Sequence, residues 1–340
     1  MKKFKFYLFI FAVFISCSSS DDSFDETESR NLISFELTQS FGDYFGDPRL
    51  FLYNIDKEEQ IEFLTDYDYY DWHKNVIYYT KGLDVWKKSS RGDNRQIASI
   101  DAPRVWDIMI SPDEKLLAFS TNDAILVLEL SSGSLTNITS SLPEARYRKP
   151  IWSANGSSLL MQQQLHKVRE GDEYPTVTGN YFVYNIRNED FIEVEMFDEF
   201  AFPGSAGWFP DGTAIVYEQY NGIFKYVLAN DELIRMTPED IYAIRPKISP
   251  DGNKMSYKMR NNVEGVYDDG LNILAIMNTV TLENEIETDF SGGPLNWSQD
   301  SEKLILPYNG ISIFNVNTGT LENVIGPIES YYISDPTWLQ

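Results

Sequence analysis

The stretch Ile248-Ser-Pro-Asp-Gly-Asn-Lys-Met-Ser-Tyr257 decides the fold, because it joins an apolar residue, a tight turn and an apolar strand. Pro fixes φ, Asp bonds back to backbone amides and Gly accepts a positive φ, so the chain reverses between two strands. The pattern returns at residues 110–119, 152–161, 208–217 and 297–306, and residues 72–79 form a degenerate copy with a shortened turn. This recurrence predicts a repeat protein.

The spacing of the copies indicates the size of the repeating unit. The anchor residues before each turn, at 72, 110, 152, 208, 248, 297 and 338, are separated by 38, 42, 56, 40, 49 and 41 residues. Each hairpin is followed by an apolar third strand and a more charged fourth strand, as in residues 125–130 and 134–139. Four strands in about 42 residues, repeated, predict the blades of an all-β propeller. The alternative is a β-sandwich with coincidental turns, which the regular spacing disfavours.

The two chain ends supply one more blade. Residues 335–340 read as the start of another repeat, whereas residues 32–38 read as a second strand without a first. Residues 49–55 and 59–64 then read as third and fourth strands. We therefore predict a single seven-bladed propeller domain over residues 32–340, with four-stranded antiparallel blades and a closing blade shared by both ends. Six blades are the alternative.

The turn sequence carries a resemblance to a known family. Ser-Pro-Asp-Gly at residues 249–252, placed after an apolar anchor, resembles the WD40-like repeats of TolB-type proteins, and the resemblance covers the chain from about residue 32 onward. It implies a propeller fold. For function it implies only an association with protein interactions in the bacterial envelope.

The N-terminal segment is typical of a targeting signal and not of a folded element. Three lysines within residues 2–5 precede the apolar run 7–15, which is too short to span a bilayer and suits a secretory signal. Cys17, the only cysteine of the chain, follows at once, and residues 14–17 resemble the lipobox of bacterial lipoproteins. The resemblance implies removal of residues 1–16 and a lipid anchor on Cys17. The alternative is an incidental cysteine near an ordinary cleavage site.

The segment after the cysteine predicts a location. Residues 17–31 are polar and acidic, with too little apolar surface to fold, and are expected to form a flexible tether. Acidic residues in this place resemble the surface-export signal of Bacteroidetes lipoproteins. We therefore expect a lipid-anchored protein of the outer membrane, displayed at the cell surface or otherwise on the periplasmic face.

Charge restricts the partners. The chain has 28 basic and 52 acidic side chains, a net charge of −24, which disfavours nucleic acid and anionic lipid surfaces. An envelope protein, a peptide or a glycan is the expected partner. No cofactor is assigned, and the protein is expected to be a monomer attached to the membrane through Cys17 alone.

Propellers bind ligands mainly at the face where one blade leads into the next. The residues just before the anchors are therefore the candidate ligand contacts: Tyr70, Asp71, Trp106, Asp107, Tyr147, Arg148, Lys149, Arg245, Asn296 and Asp335. Trp106 either presents an aromatic surface to a ligand or packs between blades. For Arg148 and Arg245, an ion pair with a neighbouring acid is the more ordinary role. Two insertions, residues 166–178 and 261–269, could wall the same face.

Catalytic signals are few. The two histidines, His73 and His166, fall in different blades, and no nucleophile elbow, Walker loop or dinucleotide fingerprint occurs. No catalytic residue or metal site is assigned. Asp66, Asp68 and Asp71 alternate as in a calcium loop, although an acidic loop is the plainer interpretation. The sequence thus favours a non-catalytic binding or scaffold module. The alternative is a lyase or glycan-active enzyme that uses Tyr, Arg and carboxylate groups at the channel mouth.

Overall fold

The computed structural model describes residues 31–41, 44–90, 92–102, 104–168, 174–194, 204–219, 222–261, 273–288 and 295–339. Their strands form seven antiparallel sheets arranged as the blades of a ring. Cys17 and the rest of residues 1–30 lie outside the described residues, as does most of the second insertion. No helix in the described part of the chain is long and apolar enough to cross a membrane.

The strands follow the chain blade by blade, from the central channel outwards. Blade 1 contains β1 (Leu32–Phe41), β3 (Arg49–Asn54) and β4 (Glu59–Leu64), and the short strand β2 (Tyr44–Phe45) pairs antiparallel with the end of β1. Blade 2 contains β5 (Tyr70–His73), β6 (Val76–Lys81), β7 (Asp84–Ser89) and β8 (Asn94–Ser99). Blade 3 contains β9 (Ile108–Ile110), β10 (Leu116–Ser120), β11 (Ile125–Glu129) and β12 (Leu135–Asn137).

The remaining blades repeat this order. Blade 4 contains β13 (Arg146–Trp152), β14 (Ser158–Lys167), β16 (Tyr181–Asn185) and β17 (Phe191–Val194), and β15 (Thr176–Thr178) pairs with the end of β14. Blade 5 contains β18 (Ala206–Trp208), β19 (Ala214–Gln219), β20 (Gly222–Val227) and β21 (Glu232–Arg235). Blade 6 contains β22 (Ile241–Ile248), β23 (Lys254–Asn261), β24 (Ile273–Asn278) and β25 (Asn284–Thr288). Blade 7 contains β26 (Asn296–Trp297), β27 (Lys303–Leu306), β28 (Ile311–Asn315) and β29 (Thr320–Ile325), and β30 (Tyr331–Trp338) returns to blade 1.

The repeated turn owes its shape to a small hydrogen-bond network. In blade 6 the Ser249 hydroxyl donates to Asp251 Oδ1 at 2.6 Å and accepts from the Lys254 amide at 2.9 Å, while Gly252 has φ +78°. The same network recurs in blades 3, 4 and 7, with Asn155 in place of the aspartate in blade 4. Ser and Asp therefore fix the reversal that the sequence pattern predicts.

The core lies between the blades rather than within one. The buried apolar side chains of the described residues form seven clusters, and each cluster joins two neighbouring blades, as Phe35 of blade 1 and Ile305 of blade 7 do. Full burial of such a side chain contributes about 1.5–3 kcal/mol. Face-to-face packing of sheets thus explains why the second and third strands are apolar on both sides.

The ring is closed by pairing between the chain ends. β30 is the innermost strand of blade 1 and pairs antiparallel with β1, with Ile33 opposite Trp338 and Gln39 opposite Tyr331. The Leu339 amide extends the pairing by donating to the Leu32 carbonyl at 2.9 Å. The predicted all-β, seven-bladed propeller with a shared closing blade is confirmed, and the six-bladed and sandwich alternatives are wrong.

Candidate functional site

A repeated polar position in the second strands faces the innermost strands. Ser120, Gln162, Glu218 and Lys258 each lie ten residues after the anchor of their blade. Three of them bond to neighbouring innermost segments: Ser120 donates to Asp107, Gln162 Nε2 donates to the Gly204 carbonyl at 3.0 Å, and Glu218 accepts from the Arg245 amide at 2.7 Å. Lys258 differs, because its ammonium has no hydrogen bond or ion pair within the described ranges.

Three innermost strands carry a β-bulge at the same place in the repeat. Lys149, Arg245 and Asp335 each lie three residues before an anchor and directly before a proline, with φ of +51°, +57° and +48°. The ladder register shifts beside each of them. A positive φ is unusual for a residue with a side chain, and a bulge re-aims the side chains around it. In blades 4 and 6 the re-aimed side chain is a cation.

These two features meet at a cavity of about 360 Å³ bordered by blades 4 to 7. Among the residues that the structure describes, its wall includes four cationic ones, Lys149, Arg245, Lys247 and Lys258, and none that bears a carboxylate. Gln162, Tyr181 and Ser205 add polar groups to the wall, and Ile151, Ala206 and Leu295 add apolar ones. Lys149 and Arg245 were predicted as ligand contacts from the sequence, whereas Lys247 and Lys258 were missed.

The cations of this cavity are unpaired although the protein is acidic. None of the four forms an ion pair with the residues that the structure describes, while the chain as a whole has a net charge of −24. Lys258 is buried, and burial together with the nearby Arg245 lowers its pKa to about 8. Burial also lowers the pKa of Lys247, although Asp335 partly opposes this effect. The carboxylates of Glu218 and Asp335 lie near the cavity, but neither forms an ion pair with the four cations within the described residues.

Trp106 lies at the start of blade 3 between two cations. The Cζ atoms of Arg104 and Arg148 lie 3.8 and 4.5 Å from its ring centroid, and its Nε1 donates to Asn122 Oδ1 at 3.0 Å. The ion pairs expected for Arg148 and Arg245 do not form within the described residues. Cation–π contact replaces the ion pair in the case of Arg148.

The remaining predicted site residues mainly join blades. Asp71 Oδ2 accepts from the Ile110 amide at 2.9 Å, Asp107 Oδ2 accepts from the Lys149 amide at 3.1 Å, and Asn296 donates to the Pro336 carbonyl at 2.9 Å. Burial raises the pKa of Asp71 to about 7 even though two backbone amides oppose the shift. These contacts hold consecutive innermost strands in register around the channel.

Two tyrosines that were predicted to contact a ligand, Tyr147 and Tyr70, pack against other side chains of the protein instead. Tyr147 is 1% exposed, belongs to the core between blades 3 and 4, and donates its hydroxyl to the Pro143 carbonyl at 2.8 Å. Tyr70 packs edge-on against Tyr67 with ring centroids 5.4 Å apart, and burial raises its pKa well above the ordinary value. Asp335 is exposed at its bulge, and its charge contributes to the raised pKa of Tyr70.

The three alternating aspartates do not form one cluster. Asp66 pairs with Lys81, Asp68 Oδ2 accepts from the Gly82 amide at 2.6 Å, and Asp71 bonds to the next blade. Within the described part of the chain, no group of His, Cys, Asp or Glu residues could hold a metal ion.

Fold and cavity define the class: the protein is a seven-bladed β-propeller with a cationic cavity at its channel. No protein family model matches the chain. Over 132 residues it is 29% identical to a protein of Sulfurisphaera tokodaii described as a tricorn-like protease N-terminal subunit, a match that covers 36% of this chain and 67% of that protein.

Solved structures share the fold at low sequence identity. The tricorn protease matches with a TM-score of 0.62 and 13% identity over 89% of this chain and 35% of that chain. An oligogalacturonate lyase in complex with manganese matches at 0.59 and 11% identity over 85% and 84% of the two chains. TolB from Acinetobacter baumannii matches at 0.51 and 16% identity over 91% and 82%. The neighbours thus include enzymes and TolB, and at these identities the likeness concerns the fold alone.

Proposed function

We propose that the protein is a non-catalytic binding module that holds an anionic ligand, a glycan or a peptide, in the cavity bordered by blades 4 to 7. One observation carries the proposal: Lys149, Arg245, Lys247 and Lys258 line one cavity and form no ion pair with the described residues, in a protein of net charge −24. Lys258 is a buried cation without a partner in the described part of the chain, which is costly, and a ligand carboxylate would supply charge-assisted hydrogen bonds to it and to the three exposed cations. The cavity volume of about 360 Å³ suits a small molecule or one or two units of an oligomer.

Calorimetric titration with a galacturonic acid disaccharide at low ionic strength tests the proposal. Lys258→Met should weaken binding about tenfold, since it removes one charge-assisted hydrogen bond. Lys254→Met is the matched control, because Lys254 lies on the same strand, β23, but does not line the cavity. If neither the disaccharide nor an acidic dipeptide binds, or if the two variants lose affinity equally, the proposed site is wrong.

A second candidate function is catalysis, and Lys258 is the observation that favours it. A buried amine with a pKa of about 8 beside Arg245 can remove a proton while the neighbouring cations stabilise the resulting negative charge. This chemistry suits a lyase acting on acidic sugars. Incubation with oligogalacturonate, with and without added manganese, should then produce the ultraviolet absorbance of an unsaturated product. Loss of that signal in Lys258→Met but not in Lys254→Met would support the enzyme over the binding module.

We further propose that Cys17 bears a lipid that anchors the protein to the outer membrane, with the envelope as the source of its ligand. The support is the sequence before and after Cys17. Cys17→Ser should release the protein from the membrane fraction and abolish incorporation of labelled palmitate. Protease treatment of intact cells then distinguishes surface display from a periplasmic orientation. Equal membrane attachment of the wild type and Cys17→Ser would refute the anchor.

A further inference from the structure

A second group of cations lies on the blade 3 side of β13, the strand whose Lys149 lines the cavity. The guanidinium groups of Arg104 and Arg148 both pack over the Trp106 ring, and Nη1 of Arg148 is buried without a hydrogen-bond partner. Burial, together with the charges of Arg146 and Arg104, lowers the pKa of Arg148 against the opposing effect of Asp107. Neither Arg104 nor Arg148 forms an ion pair within the described ranges. The group, here termed the Trp106 cluster, consists of Arg104, Trp106 and Arg148.

The bulge in β13 separates the cluster from the cavity. Arg148 and Lys149 are consecutive, yet Arg148 packs on Trp106 of blade 3 while Lys149 lines the cavity with residues of blades 5 and 6. At this point the ladder register shifts between Arg148 and Ile151, and Lys149 has a φ of +51°. Positive charge without partners therefore stands on both sides of one innermost strand. A ligand with a single carboxylate can neutralise only one side.

We propose that the Trp106 cluster is a second subsite of the same binding site, and that the ligand is an extended acidic oligosaccharide that crosses β13. The inference rests on the proposed function, because it assigns the cavity as the first subsite. One uronate residue occupies the cavity beside Lys149 and Lys258. A later uronate residue places its carboxylate against the guanidinium groups of Arg104 and Arg148, which offer planar, paired donors.

The walls of the cavity favour a sugar acid over an acidic peptide. Ser205 offers a hydroxyl group next to the cations, and Ile151 and Pro246 offer apolar surface beside them, whereas Gln162 and Tyr181 already bond to the Gly204 carbonyl. Sugar rings present hydroxyl groups and apolar C–H faces together with a carboxylate. An acidic peptide presents carboxylates, methylene groups and backbone amides, but no ring that combines hydroxyl groups with an apolar face.

The test compares ligand lengths in calorimetric titrations of the full propeller. The wild type should bind a galacturonic acid hexasaccharide at least about tenfold more tightly than the disaccharide. Arg148→Gln and Arg104→Gln should abolish most of this length preference and leave affinity for the disaccharide unchanged. Lys258→Met should weaken both ligands. Arg187→Gln is the control, because Arg187 is exposed in the turn between β16 and β17, and it should change neither affinity.

Each outcome decides between the two proposals. Disaccharide binding that requires Lys258, without any length preference, overturns the second subsite and leaves the proposed function in place. Absence of binding by either oligosaccharide overturns both. A length preference that survives Arg148→Gln and Arg104→Gln places the second contact elsewhere and refutes the cluster. A hexaglutamate peptide that binds while the hexasaccharide does not refutes the sugar class.

Discussion

The indole Nε1 of Trp297 lies 2.9 Å from the backbone carbonyl oxygen of Lys247 and ties blade 7 to blade 6. The same bond recurs from Trp208 to the Ile151 carbonyl at 2.9 Å and from Trp152 to the Met109 carbonyl at 3.1 Å. In each case the acceptor is the residue just before the anchor of the preceding blade. A tryptophan anchor therefore joins two blades by a directional bond in addition to its apolar contact.

Replacing Trp208 by Phe should lower the free energy of unfolding by about 1–3 kcal/mol, because the Ile151 carbonyl then loses its partner. Urea denaturation measures the change. Trp86→Phe is the control, since Nε1 of Trp86 is buried but has no hydrogen-bond partner. Equal losses in the two variants would show that ring size, and not the interblade bond, determines the effect.

The closing strand should be sensitive to the face on which a charge is placed. Ile333 is 7% exposed and packs between blades 7 and 1, whereas its neighbour Tyr332 is 53% exposed. Ile333→Asp should lower the melting temperature strongly and promote aggregation, because it buries an unpaired charge in the closing blade. Tyr332→Asp should change little. Deletion of residues 332–340 should resemble Ile333→Asp, and a truncated protein with unchanged melting and monodispersity would contradict the closure.

Asp71 should make the protein less stable as pH rises through the weakly acidic range. Burial raises its pKa to about 7, so between its ordinary value and about 7 the folded state keeps a proton that the unfolded state has released. Stability from this group is therefore lost as pH increases. Asp71→Asn does not titrate, so the difference in unfolding free energy between Asp71→Asn and the wild type should grow from pH 4 to about pH 7. Parallel stability curves for the two proteins would refute the raised pKa.

Lys258 should destabilise the folded protein at neutral pH. Its folded-state pKa of about 8 lies below the ordinary 10.5, so its ammonium is penalised in the folded state at neutral pH. Lys258→Met should then stabilise the protein at pH 7, by up to about 3 kcal/mol, and the gain should shrink between pH 8 and pH 10.5. Chemical denaturation across this range measures the gain. A variant that is destabilised at pH 7 would place the ammonium in a favourable contact instead.

The fold could be predicted because its signal is local. The turn is fixed by the hydrogen bonds and backbone geometry of Ser249, Asp251 and Gly252 themselves. The pattern can therefore be recognised without knowledge of the rest of the chain. Repetition then gives the blade count. The closing blade followed from the incomplete repeats at the two ends.

The cavity could be predicted only in part, because it depends on which strands converge and how a bulge turns them. Tyr147 was grouped with Arg148 and Lys149, but the three side chains lie in different surroundings, because successive residues of a strand face opposite sides and a bulge follows Arg148. Lys258 was missed since it reads as an ordinary mid-strand residue between Tyr257 and Met259. Its position ten residues after the anchor, shared with other polar residues, was the available signal.

The pairing of β1 with β30 also determines how the ring responds to mechanical load. Ile33 faces Trp338, and Leu339 bonds to Leu32, so both chain ends leave blade 1 at the same end of one antiparallel pair. Tension between the two ends opens such a pair one hydrogen bond at a time, as in a zipper, instead of shearing all of them at once. A force that pulls the two ends of the pair apart is therefore resisted by only one hydrogen bond at a time.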